Sequence, residues 1–257
     1  MTIYFESTAR KVRDFPVAEA ERAARMQLAA CYRIFNHLGW TEMIFNHITL
    51  RVPGPEKLFL INPFGQHYSE ITASSLVLID VEGNPVRESK WPVNRAGFVI
   101  HSAIHEHVGQ AHCVMHTHTT TGMAVACLKE GLSPTNFYAA QLHGQVAYHD
   151  FEGITVDEGE KVRLLESIGN RQAVILRNHG LLAWGPSVPE AFMTLWTLQR
   201  ACDVQIAASG AGALNPIRQE VFAQTVRESG PGEKRTCEDV FAALQRLVDA
   251  KDPSYRD

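Results

Sequence analysis

Residues Ala173-Val-Ile-Leu-Arg-Asn-His-Gly-Leu-Leu-Ala-Trp184 set two short apolar runs on either side of the turn Arg177-Asn-His-Gly180. Brief apolar runs bounded by Asn and Gly read as strands, so this stretch is a hairpin with a histidine at its tip. Working outward, Ala111 to His116 is another short apolar strand, whose end runs into Thr117-His118-Thr-Thr-Thr-Gly122. Further back, Ile48 to Val52, Leu58 to Ile61 and Leu76 to Asp80 are strand-like runs separated by Pro-Gly-Pro, Asn-Pro-Phe-Gly and Glu-Gly-Asn-Pro turns.

Around these strands the period changes to that of helices. Val17 to Leu38 places Ala, Met, Leu, Ile and Phe at helical spacing, with Gly39 where a terminating glycine belongs. Asn94 is positioned to cap a helix from Arg95 to about His107, and another helix starts near Thr121. Ser187-Val-Pro-Glu190 has the pattern of a capping box and opens a helix from Ala191 to Ala208, stopped at Gly210. Gly230-Pro-Gly232 reads as a mobile break before a helix from Cys237 to Ala250 capped by Thr236. Regular alternation of strand and helix is missing, which predicts an α/β/α three-layer sandwich with a mixed, mainly antiparallel central sheet. One domain over 1–257 is expected, with its core at about 20–210 and a C-terminal helical extension at 211–257.

Composition narrows the class of function. In 257 residues, 24 Lys plus Arg stand against 28 Asp plus Glu, a formal net charge of -4 without a basic cluster, so no nucleic acid partner is expected. Met1 to Asp14 lacks the apolar stretch of a signal peptide or membrane anchor. Five widely spaced cysteines, mostly inside apolar runs, suit reduced buried thiols in the cytoplasm. A small-molecule substrate is the expected partner. The unusual feature is histidine, 12 in all, with six between His101 and His118.

His116 and His118 are two apart on a strand, so both rings reach the same face and one metal ion. His179, on a tight turn beside Gly180, offers a third imidazole. Three histidines plus water is the open arrangement of a catalytic metal. His101 and His105 share a helix face at a spacing of four, but without the Glu of a zinc protease motif they read as polar positions of that helix. His107 and His112 read as solvated. His143 and His149 suit either a pocket lining or a surface, and His47 suits either a substrate donor or a structural cap.

Val114-Met-His-Thr-His-Thr-Thr-Thr-Gly122 and Leu176-Arg-Asn-His-Gly-Leu-Leu182 resemble the metal-binding segments of the class II aldolase/adducin family. Further matches are Phe45-Asn-His-Ile-Thr49, Leu60-Ile-Asn-Pro-Phe-Gly65, Tyr68-Ser-Glu-Ile-Thr-Ala-Ser-Ser-Leu76, Asn94-Arg-Ala-Gly-Phe98 and Val146-Ala-Tyr-His-Asp150. The resemblance implies an α/β/α fold, a divalent metal, zinc first and manganese next, held by His116, His118 and His179, and a homotetramer with active sites at subunit boundaries. It also implies Lewis-acid stabilisation of an enediolate or carbanion during aldol cleavage or decarboxylation.

The acid/base Glu of the family's aldolases falls on Gly97 here, and the phosphate-binding serines fall on Arg95 and Ala96. This argues against standard sugar phosphate cleavage. Candidate acid/base groups are His143, Tyr138 and Glu70, while Gln141 orients substrate or binds metal. His47, Asn62, Gly65 and Arg95 are the candidate substrate-binding residues, with Arg95 suited to a carboxylate and Phe64 to a larger or more apolar substrate. The expected function is a metal-dependent lyase acting on a small carbonyl or carboxylate compound. The alternatives are an adducin-like binding or scaffolding module, suggested by segments such as Ala201-Cys-Asp-Val-Gln-Ile206, and a metal-dependent epimerase.

Overall fold

The expected strands form, each within a residue or two of its apolar run: β1 (Ile48–Arg51), β2 (Phe59–Ile61), β3 (Val77–Ile79), β4 (Cys113–Thr117), β6 (Ala173–Leu176) and β7 (Gly180–Gly185). A further strand, β5 (Val146–His149), completes one seven-stranded sheet in the order β3-β2-β1-β4-β7-β6-β5. Every neighbouring pair is antiparallel except β5 with β6. The computed structural model describes residues 19–54, 57–153, 158–229 and 232–257, with the side chains at 95–97, 158 and 229 left undescribed. The stretch Met1 to Asp14, the first two residues of the helix expected from Val17, Gly230-Pro231 of the expected break and the Arg95 side chain therefore lie outside the described residues.

Strand parity sorts the two cores. Ile48, Leu50, Leu60, Leu78, Cys113, Met115, Ile175, Leu181 and Ala183 face one way, against α1 (Glu19–Leu38), α6 (Val188–Ser209) and α8 (Lys234–Lys251). Their neighbours Phe59, Ile61, Val77, Val114, Val174, Leu182 and Trp184 face the other way, toward α2 (Arg95–His107) and α5 (Glu158–Ile168). Alternation of period two thus makes both faces of the sheet apolar and demands a helical layer on each. Each fully buried Leu, Ile or Phe in these layers contributes about 1.5–3 kcal/mol of transfer free energy.

Helix ends follow local chemistry with two corrections. Ser187 caps α6, accepting from the Glu190 amide at 3.3 Å and donating to its carboxylate at 2.6 Å. Asn94 does precede α2, but its side chain makes no capping bond and instead reaches the Phe45 carbonyl at 3.5 Å. Thr236 does not cap α8, which begins at Lys234 with Glu233 at its cap position. Four helices escaped the periodicity: α3 (Thr120–Ala126) was expected only as a start, while α4 (Phe137–Gln141), α5 and α7 (Gln219–Ser229) were not singled out. The C-terminal residues pack on their own chain. Phe241, Val248 and Tyr255 join the core beside α1 and α6, and the carbonyls of Tyr255, in the terminal turn Pro253–Arg256, and of Asp257 accept from the Ala73 and Ser74 amides.

Candidate metal centre

His116 is the fourth residue of β4, pairs with Leu182 of β7, and shares the sheet face of Val114. His118 follows where the strand ends, and His179 immediately precedes β7 at the tip of the hairpin. That tip bends through Asn178, whose φ of 58° is a left-handed value that Asn tolerates. The Asn178 amide donates to the Ala126 carbonyl at 3.0 Å, tying the tip to α3. Gly180 is required by approach distance. A Cβ there would lie 2.4 Å from the Thr117 carbonyl oxygen, 3.0 Å from Cδ2 of His118 and 3.2 Å from Cε1 of His116.

The three rings form a compact triangle, with centroids 4.5, 4.8 and 4.9 Å apart and one ligand nitrogen from each within 4.8 Å of the others. Nδ1 of His116 lies 2.9 Å from the Leu181 carbonyl oxygen. A carbonyl only accepts, so Nδ1 carries the proton and Nε2 turns its lone pair toward His118 Nε2, 2.7 Å away. Burial, followed by the neighbouring His118, His179 and His47, holds His116 neutral by pushing its pKa well below the usual histidine value. Burial, then His118, brings His179 down to about 4, and burial lowers His118. Three converging neutral imidazoles, one with its tautomer set by a backbone carbonyl, fit a divalent metal of the zinc type.

The other sequence candidates are distributed around this centre. His47 is buried, with its ring 4.1 Å from that of His101 and 6.1 Å from that of His116. Asn62 is buried and its side-chain oxygen accepts from the Tyr32 hydroxyl at 2.9 Å. The same hydroxyl is 2.6 Å from the Ile48 carbonyl, so Tyr32 knots the Asn62 turn to the Asn46-His47 entry of β1. Gly65 has a φ of 109°, which only glycine adopts readily, and faces Trp91. Arg95 opens α2.

Glu70 is exposed and accepts from the His67 amide at 2.8 Å. Tyr138 lies under Arg200 and against Trp196, Gln141 ends α4, and His143 stacks on Phe222 of α7 at 4.6 Å. Among the described residues, no hydrogen bond or ring contact joins these four to the histidine triangle. His107 and His112 are exposed, as expected. His149 is buried on β5, bonded to Ser167. His101 and His105 require a correction: they are not merely polar positions of a helix but are 1% and 4% exposed and both bonded to Thr49. The buried Thr49 gave no sequence signal, because a threonine in a short strand is ordinary there.

The family model for the Class II Aldolase and Adducin N-terminal domain matches residues 26–206. A crystal structure of an aldolase II superfamily protein from Pseudomonas syringae shares 42% identity, a TM-score of 0.89, and 94% of this chain with 98% of that one. L-fuculose 1-phosphate aldolase from Glaciozyma antarctica PI12 shares 31% identity with a TM-score of 0.82, over 96% of this chain and 97% of that one. Rat alpha-adducin is 40% identical over 90% of this chain but only 34% of its own length.

Proposed function

Because the chain belongs to the class II aldolase and adducin family, we propose that it is a divalent-metal-dependent lyase. Its substrate is a small carbonyl or carboxylate compound, and the bond broken is carbon–carbon, by aldol-type cleavage or decarboxylation. The observation that carries this reading is the triangle of neutral imidazoles at His116, His118 and His179. A divalent metal held there, zinc by ligand type with manganese next, supplies Lewis-acid stabilisation of charge developing on oxygens beside the breaking bond.

The chain's own residues set the rest of the site. The Leu181 carbonyl orients His116. Asn62, Gly65 and Arg95 bind substrate, Arg95 as the anion-binding group. Phe45, about half exposed, meets Phe64 at 6.4 Å and gives the turn an apolar lip for a substrate less polar than a sugar phosphate. Tyr138, Gln141 and His143 lie on or beside α4 and, among the described residues, share no hydrogen bond or ring contact with this chain's own triangle, so their use as acid/base or orienting groups depends on the proposed homotetramer with sites at subunit boundaries. Glu70 is the acid/base candidate nearest the substrate turn in sequence. Five free cysteines support a cytoplasmic setting.

The kinship with alpha-adducin supports a second reading, a non-catalytic binding module. Metal analysis of protein purified without added metal separates the two. One equivalent of divalent metal in the wild type, lost in His116→Ala, supports the lyase, whereas wild type without stoichiometric metal removes it. Product analysis then distinguishes lyase from epimerase, because an epimerase leaves the carbon skeleton intact.

A further inference from the structure

His116 is held by the backbone of its own sheet, whereas His118 and His179 are tied to opposite ends of α3. His118 directly precedes Thr119, the cap position of α3, and the Ala126 carbonyl at the other end accepts from the Asn178 amide beside His179. How α3 sits therefore sets these two rings against each other. The Thr119 side chain makes no capping bond to α3, because its hydroxyl meets Oε1 of Gln199 on α6 at 2.5 Å. Gly122 closes the same turn from the other side: a Cβ there would lie 2.7 Å from Thr119 Oγ1 and 2.8 Å from Leu181 Cδ1.

The direction of every bond in this knot follows from partner types. Asp203, ion-paired with Arg200 at 3.1 Å, presents a carboxylate that only accepts. The Thr121 hydroxyl, 2.5 Å from its Oδ1, therefore donates its one proton there and keeps its oxygen free to accept. That oxygen at 2.8 Å and Asp203 Oδ1 at 2.7 Å both face Nε2 of Gln199, whose two protons supply one bond each. Oε1 is then left to accept from Thr119. Gln199 is 2% exposed, and turning its amide over would set Oε1 against the Asp203 carboxylate, so only one orientation fits. We propose that Gln199 is a positioning residue for the metal centre: its amide fork clamps the first turn of α3 to α6 and so fixes His118 relative to His179. The role rests on the reading of the histidine triangle as a metal site.

The test measures zinc affinity of the full-length protein by chelator competition, beside urea unfolding, in a matched pair of variants. Gln199→Leu removes the fork. Gln205→Leu removes another buried amide of α6, one that bonds the Ser133 amide and the Gly131 carbonyl, neither of them in α3 or the triangle. Both should lower the urea midpoint, but only Gln199→Leu should weaken zinc binding, by ~10–100-fold as loss of an outer-shell partner does. Thr119→Val should weaken it likewise while Thr119→Ser keeps wild-type affinity, and this second pair decides if Gln199→Leu does not fold. Equal zinc affinity in Gln199→Leu and Gln205→Leu overturns the clamp and leaves the lyase reading standing. A wild type that binds no zinc removes the lyase reading, and the 1H–15N ring signals of His118 and His179 in the metal-free protein then decide. Signals moved by Gln199→Leu and not by Gln205→Leu uphold the clamp, and any other pattern overturns it.

Discussion

Nδ1 of His116 donates to the carbonyl oxygen of Leu181 across the β4–β7 pair, so the ladder that builds the sheet also sets the tautomer of the central imidazole. Removing that imidazole should cost the centre its metal rather than the protein its fold. His116→Ala is expected to lower zinc affinity by more than the ~10–100-fold that loss of an outer-shell partner causes. Competition titration with a chelator, alongside far-UV circular dichroism, checks it. Unchanged affinity would mean that the metal binds elsewhere.

Gly180 is held by backbone rather than by a yielding side chain, since a Cβ would stand 2.4 Å from the Thr117 carbonyl. Gly180→Ala should spread β7 from the end of β4, costing about 1–3 kcal/mol of stability as overpacking does. It should also weaken metal binding, because His116 and His118 border the same Cβ position. Denaturant unfolding and metal content measured on one preparation would show both losses together, and a variant of wild-type stability would refute the steric argument.

Acid should destabilise the fold through buried neutral histidines. His105 has a folded pKa of about 3 against an ordinary 6.5, and burial pushes His101 in the same direction. Between those values the unfolded state binds more protons, so stability rises with pH, is complete above about 6.5 and is lost as pH falls toward 3. For His105 the upper bound is about 5 kcal/mol across that window. Urea midpoints at pH 7.5, 6 and 4.5 should fall in that order, and a flat profile would contradict it.

Tyr255 is fully buried near the chain's end, with its hydroxyl 2.5 Å from Asp249 and its carbonyl accepting from the Ala73 amide at 2.8 Å. Tyr255→Ala should therefore cost about 3–5 kcal/mol, as large-to-small aromatic changes in cores do. A calorimetric melting temperature within a degree of wild type would show that the terminal turn is not part of the cooperative unit.

Most strands, the long helices and the three clustered histidines were legible because each has a local signature. Strand parity places His116 with Val114, and Asn178-His179-Gly180 marks a tight turn. The short α4, α5 and α7 and the true start of α8 were not legible, since helices of this kind are stabilised by the core they cover rather than by their own period. The same holds for His101 and His105. Their spacing showed a shared helix face, but nothing in the chain's order says that Thr49, over fifty residues away, lies beneath both.

By itself, then, the order of residues determined which segments extend, which coil, and which imidazoles share a strand face, because these follow from backbone periods of 2 and 3.6. Only the tertiary structure decided which carbonyl sets a tautomer and which of twelve histidines is buried beside another. Hydrogen-bond direction and burial are here properties of groups far apart in sequence, brought within 3 Å of each other by packing.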